Sequence, residues 1–149
     1  MTYRVVHWGT GNVGRMALRA IIEHPDLELI GVVVHNPEKS GVDAGELCGL
    51  DKVGIPATSD PAQVLALSPD VVCYTAAGDR RPYDAVNDIC LALETGANVV
   101  STSVVSLLHR RSAEPAVLAQ IEAACQAGGT SCFTSGNDPG FPRNSSLWP

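Results

Sequence analysis

Basic residues are scarce. The chain carries ten Lys and Arg against sixteen Asp and Glu, a formal net charge of −6, and only 17% of it is charged. A nucleic-acid footprint needs clustered Lys and Arg, so this balance argues against nucleic acid, and equally against an anionic membrane surface, as partner. No apolar run approaches the roughly 20 residues that span a bilayer. The opening Met1-Thr2-Tyr3-Arg4-Val5-Val6-His7-Trp8 has one positive residue and no long apolar stretch, so it reads as the start of a strand rather than a signal peptide. The five cysteines, at positions 48, 73, 90, 125 and 132, include no C-x-x-C pair. An odd count without metal-ligand spacing fits a reduced, cytoplasmic chain with no metal site, its thiols packing as small hydrophobes. H-x-x-x-H, a P-loop lysine after the glycines, a Ser-His-Asp order and a Y-x-x-x-K pair are also lacking. Each absence argues against the chemistry that needs it.

What is present is alternation. The 149 residues suit one domain, and 45% are apolar, enough to bury a real core. Strands are expected at Tyr3–Trp8, Leu27–Val34, Val53–Thr58, Asp70–Thr75, Asn98–Ser101 and Thr130–Thr134. Helices are expected at Asn12–His24, Val42–Leu50, Ala62–Leu67, Pro82–Thr95 and Glu114–Ala127, with Ser59 or Asp60 capping ahead of Pro61, and Gly96 and Gly128-Gly129 as stops. Strands alternating with helices imply right-handed βαβ units. The expected fold is therefore α/β, a Rossmann-type doubly wound parallel sheet in three layers. Residues 1–135 read as a dinucleotide-binding domain. Residues 136–149 are turn-rich, with no apolar period, and read as the start of a link to a second domain or as an aberrant tail.

The chemistry concentrates in Gly9-Thr10-Gly11-Asn12-Val13-Gly14. A lone G-x-G-x-x-G is weak evidence, but this one directly follows a predicted strand and opens a predicted helix. Gly9 permits the turn out of the strand, Gly11 lets a pyrophosphate approach the backbone, and Gly14 lets the helix pack close to the sheet. Free N–H groups at the helix start favour an anion there.

The ribose-reading position lies at the end of the second strand, in Val34-His35-Asn36-Pro37-Glu38-Lys39-Ser40. No Asp or Glu stands at the strand tip to take a ribose 2′-hydroxyl, and His35, Asn36, Lys39 and Ser40 offer donors to a 2′-phosphate. The cofactor is therefore NADP or NAD, with the lean toward NADP; Glu38 keeps NAD open. Across the crevice, Thr75, Ala76 and Ala77 leave room above the sheet. The hydroxyls of Ser101, Thr102 and Ser103 can bond a nicotinamide amide or ordered water. His7 reads as a satisfied core imidazole, His24 and His109 as surface residues, and Asp79-Arg80-Arg81 as a solvated turn.

At this point the N-terminal Tyr3–Arg15 stretch resembles the dihydrodipicolinate reductase-like and NAD(P)-dependent amine dehydrogenase group, which includes 2,4-diaminopentanoate dehydrogenase. Asp43-Ala44-Gly45-Glu46-Leu47, Val99-Val100-Ser101-Thr102-Ser103 and Ser135-Gly136-Asn137-Asp138-Pro139-Gly140-Phe141 carry the resemblance further. It covers roughly residues 3–141. The last stretch resembles the G-x-D-P-G element that meso-diaminopimelate dehydrogenase and its relatives place beside the nicotinamide. The resemblance implies hydride transfer between NAD(P)(H) and an amine or imine carbon of a small, amino-acid-like compound. It implies Asp138 as an electrostatic partner for a cationic substrate, and homo-oligomers in the full-length family. Asn137 stands where relatives more often carry an apolar or aromatic residue. Family members continue into a second α/β domain that holds the basic catalytic motif. The expectation for this chain is thus a cofactor-binding domain, with a non-catalytic nucleotide-binding or regulatory module, or a truncated inactive product, as the competing reading. Apolar surface around the last strand is expected to drive self-association.

Overall fold

The computed structural model describes residues 1–77 and 82–135. Five parallel strands form one sheet: β1 (Tyr3–Trp8), β2 (Leu27–Val33), β3 (Val71–Tyr74), β4 (Asn98–Ser101) and β5 (Cys132–Thr134), in the order β2-β1-β3-β4-β5. The central strands are largely apolar where both faces are covered, with His7 and Ser101 as buried polar exceptions. Val6, Trp8, Val32, Val33, Val72 and Val99 are all buried. Helix α1 (Asn12–Glu23) packs on one face, where Leu18 joins Val32, Val34, Ala44, Cys48 and Ala57. Short α2 (Ala44–Leu47) lies on the same side. Helices α3 (Pro61–Leu65), α4 (Pro82–Glu94) and α5 (Pro115–Gly128) cover the opposite face. There Trp8 and Tyr74 pack with ring centroids 5.3 Å apart, and the Tyr74 hydroxyl donates to Asp88 at 2.8 Å.

Because β1 leads to β2 on one side and the chain then crosses to β3 on the other, the connections diverge at the carboxyl ends of β1 and β3. That divergence opens the crevice in which this class of sheet binds its ligands. Coverage of the α1 face is uneven. The register row His7, Cys73, Val100, Phe133 runs from the fully buried His7 to Val100 at 41% and Phe133 at 64% exposure.

Local chemistry explains the element ends. Asp60 accepts from the Ala62 N–H at 3.0 Å and Pro61 opens α3, the expected cap. Gly129 ends α5 in the left-handed conformation, and Gly96 follows α4 with φ +99°. Helix α1 stops one residue early, because His24 is already extended.

Three expectations need correction. Val53–Thr58 is no strand: among the described residues it makes only the isolated bridges Val33↔Thr58 and Asp43↔Pro56, and the sheet there has five strands instead of six. The Asp43 carboxylate takes the N–H groups of Val53, Gly54 and Ile55 at 2.8 to 3.3 Å, Pro56 has none, and Gly54 turns the chain at φ +83°. The Val42–Leu50 helix shrinks to Ala44–Leu47, closed by Gly49 at φ +82°. The Ala62–Leu67 helix is Pro61–Leu65, and Ser68 takes a positive φ just beyond it.

Candidate dinucleotide site

The glycine loop leaves β1 at its carboxyl end and turns directly into α1. Gly9 has φ +103°, and a Cβ there would come within 2.5 Å of the Ala76 nitrogen. Its N–H donates to the Val33 carbonyl at 3.0 Å. A Cβ on Gly14 would lie 2.1 Å from the Gly9 carbonyl oxygen, so only glycine lets α1 sit this close. Around Gly11 the situation is opposite: among the described residues a Cβ would meet nothing within 4 Å. Two of the glycines thus serve the packing of the protein itself, and the third faces open space.

Gly11 is the N-cap of α1 and offers no side chain, and the first turn holds no acidic residue. Intrahelical bonding starts with the Arg15 N–H on the Gly11 carbonyl at 2.8 Å. The N–H groups of Asn12, Val13 and Gly14 therefore lack intrahelical acceptors, and the dipole of a twelve-residue helix ends there. Such a terminus suits an anion.

Gly11, Asn12, Val13, Thr75, Ala76, Ala77 and Thr102 line one cavity of about 380 Å³, together with Ser103 and Val105. Most of the predicted cofactor residues are thus brought together from three separate stretches. Gly9, Thr10 and Gly14 form the root of the loop. The Thr75 hydroxyl is turned to the loop, 3.0 Å from the Gly9 carbonyl and 3.3 Å from that of Trp8. Ser101 is buried, and its Oγ accepts from the Ser103 N–H. A larger cleft of about 610 Å³ between α5 and β5 has neither a glycine loop nor a free long-helix start along its walls.

His35 and Asn36 stand apart from that cavity, exposed beyond β2. The Asn36 side chain accepts from the Glu38 N–H and so caps the turn Pro37–Lys39. Lys39 reaches back across 29 residues: its Nζ lies 3.0 Å from the Thr10 carbonyl and 3.2 Å from the Thr10 hydroxyl. Asp79, Arg80, Arg81, Asp138 and the 136–149 stretch lie outside the described residues.

His7 is buried, as a core histidine should be, but only half satisfied. Its Nε2 donates to the Gly9 carbonyl at 2.7 Å, and its Nδ1 has no partner among the described residues. Burial lowers its pKa to about 4 against the smaller upward pull of the Gly9 and Gly14 backbone, so the ring is neutral at pH 7. All five cysteines are free. Burial pushes the Cys73, Cys90 and Cys132 thiols up to about 11, aided at Cys90 by the Glu94 carboxylate, which makes them poor nucleophiles. Among the described residues no group of three or more His, Cys, Asp and Glu can hold a metal, and no helix is long and apolar enough to cross a membrane.

Comparison with known proteins agrees with this geometry. Residues 3–102 match the family model of the dihydrodipicolinate reductase N-terminus. The chain is 50% identical over 137 residues to an amine dehydrogenase of Streptomyces virginiae, covering 91% of this chain but 38% of that protein. It is 39% identical over 64 residues to a 4-hydroxy-tetrahydrodipicolinate reductase of Synechocystis sp., covering 43% of this chain and 23% of the relative. Among solved structures, an amine dehydrogenase from Mycobacterium smegmatis superposes with a TM-score of 0.81 at 25% identity, over 91% of this chain and 40% of that one. A homoserine dehydrogenase from Thiobacillus denitrificans, at 22% identity and a TM-score of 0.60, shares the fold; it covers 90% of this chain and 29% of that one. The chain thus spans well under half the length of the relatives it matches. With a parallel sheet, a glycine loop at its switch point and a match over residues 3–102, the chain belongs to the family of the dihydrodipicolinate reductase N-terminus, a Rossmann-type NAD(P)-binding domain.

Proposed function

We propose that this chain is the cofactor-holding part of an oxidoreductase that moves a hydride between NADP or NAD and a small, amino-acid-like amine or imine. The observation that carries the reading is the uncapped start of α1 behind Gly11, where a ligand group can lie against the backbone without meeting a side chain of the described residues. The N–H groups of Asn12 and Val13 would hold the pyrophosphate. Thr75, Ala76, Ala77 and Thr102 would border the nicotinamide half, because they follow β3 and β4 along the same cavity. The cofactor supplies the hydride; the protein binds and orients it.

The NADP preference rests on the end of β2. His35 and Asn36 follow the strand with no carboxylate at its tip, and the Lys39 ammonium stands between that loop and Thr10. A cation held there favours a 2′-phosphate over a 2′-hydroxyl. The substrate assignment rests on the 50% identity to a protein named as an amine dehydrogenase and on the Asp138-Pro139-Gly140 stretch. In this reading Asp138 is the candidate electrostatic partner of the cationic amine.

Titration of the chain with NADPH and NADH tests the first part. Binding of at least one is expected, NADPH more tightly; tighter NADH binding overturns the preference, and no binding of either overturns the reading. The second part is tested by following nicotinamide absorbance while a panel of small amines and amino acids is added, with Asp138→Asn as control. Oxidation of hydroxyl substrates by the oxidised cofactor in preference to amines would remove the amine assignment.

A further inference from the structure

Three contacts meet at one atom beneath the glycine loop, the Gly9 carbonyl oxygen. His7 Nε2 lies 2.7 Å from it, Thr75 Oγ1 lies 3.0 Å from it, and α1 presses Gly14 against it so closely that a Cβ would come within 2.1 Å. A carbonyl only accepts, so Nε2 carries the ring proton and Thr75 is the second donor. The oxygen thus faces two donors, and the single Thr75 proton also has the Trp8 carbonyl within 3.3 Å.

Strand formation does not require an imidazole here. The neighbouring Val5 and Val6 are buried by their apolar bodies alone, and a β-branched residue would pair and pack as well at position 7. The histidine instead carries a cost, as Trp8 does with its buried Nε1, because its Nδ1 is buried without a partner among the described residues. What it provides is control over a backbone unit that sterics leave loose. Gly9 sits at φ +103°, in a region where glycine meets little hindrance. The Gly9 carbonyl and the Thr10 N–H share one rigid peptide plane. Holding the oxygen therefore sets the direction of that plane, and with it the path of the chain into Gly11, Asn12 and Val13.

We propose that His7 is a positioning residue for dinucleotide binding: its Nε2–H and the Thr75 hydroxyl together clamp the Gly9 carbonyl and hold the loop N–H groups ready for the pyrophosphate. The proposal rests on the reading of this loop as the pyrophosphate site. A loop ordered before the ligand arrives does not lose that freedom on binding, so the clamp acts on affinity rather than on the fold as a whole.

The test uses His7→Leu, which fills the space without a donor, and His7→Gln, which restores an N–H at similar reach. Two readouts are taken: the dissociation constant for whichever of NADPH and NADH binds the parent chain more tightly, and amide hydrogen exchange of residues 9–13 without ligand. His7→Leu is expected to bind about tenfold more weakly and His7→Gln within about twofold of the parent. Loop exchange should be faster in His7→Leu and restored in His7→Gln, a rescue that a space-filling role does not give. If His7→Leu fails to fold, Thr75→Val and Thr75→Ser read the same oxygen from the other donor. Unchanged binding and exchange in the donor-less variants, or loss without rescue, overturns the clamp. If the parent binds neither dinucleotide, the pyrophosphate reading falls, and exchange in the loop still decides whether the carbonyl is clamped.

Discussion

The Lys39 ammonium donates to two atoms of one residue, the Thr10 carbonyl at 3.0 Å and the Thr10 hydroxyl at 3.2 Å. Lys39 is half-buried, and its charge is carried into the loop by a turn that Asn36 caps. A cation so placed ties the loop from the outside and faces the end of β2. Replacing it with Gln keeps a donor and removes the charge. Lys39→Gln is expected to weaken NADPH about tenfold and NADH by much less, since hydrogen bonds to charged groups are worth roughly twice neutral ones. Parallel titrations check this, and equal losses on both nucleotides would show that Lys39 only ties the loop.

The three loop glycines should separate in stability experiments. At Gly14 a methyl group collides with the Gly9 carbonyl at 2.1 Å, and neither backbone can yield. Gly14→Ala is expected to cost about 3 kcal/mol or more in urea unfolding. Gly11 has open space, so Gly11→Ala should cost no more than about 1 kcal/mol, through the poorer N-cap. Gly11→Val should stay folded and lose the dinucleotide. Retained affinity in folded Gly11→Val would falsify the pyrophosphate assignment.

His7 gives the fold a pH dependence of defined sign. Burial holds its pKa at about 4, against 6.5 for the free side chain. Between those values the unfolded chain binds a proton that the folded chain refuses, so stability is complete above pH 6.5 and declines as pH falls toward 4. The full difference is on the order of 3 kcal/mol. Carboxylates also titrate near the lower end, so the measurement is the gap between the parent and His7→Gln. The parent's stability minus that of His7→Gln should fall steadily from pH 6.5 to 4; a constant difference would mean that His7 is not the group responsible.

Asp43 should matter beyond its place in the sequence. Partial burial pushes its carboxyl up, but the N–H groups of Val53, Gly45, Gly54 and Ile55 outweigh that and hold it below the ordinary carboxylate range. These bonds tie the start of α2 to the segment that failed to become a strand. Asp43→Ala is expected to lower the thermal midpoint by several degrees, and Asp43→Asn by less. The tie is present at neutral pH and weakens only as pH falls through the depressed value. A midpoint for Asp43→Ala equal to the parent's would show that the backbone holds this segment unaided.

Much of the frame was legible in the residues. β1, β2, β4 and the long helices fall within a residue or two of where apolar runs and caps place them, because those signals are local. The Gly9–Gly14 loop was legible for the same reason: strand, turn and helix are consecutive. Val53–Thr58 misled because its alternation suits a strand while its donors are taken by a carboxylate ten to twelve residues away. The support of the loop was hidden in a similar way. Lys39 meets Thr10, and Thr75 meets Gly9 across 66 residues, only after the sheet has formed. His7 was legible as buried, but its neighbour in space is set by the positive φ of Gly9, which the sequence allows without requiring.

Gly9 joins three strands at once: its N–H reaches Val33 at the end of β2, and its oxygen takes hydrogen bonds from His7 of β1 and from Thr75 after β3. The loop is therefore a poor module for transplantation. Moved into another sheet with its glycines intact, it would keep its motif and lose its aim unless positions 7 and 75 travelled with it. By the same logic, substitutions at those two positions should show epistasis, each being tolerated or not according to the residue at the other.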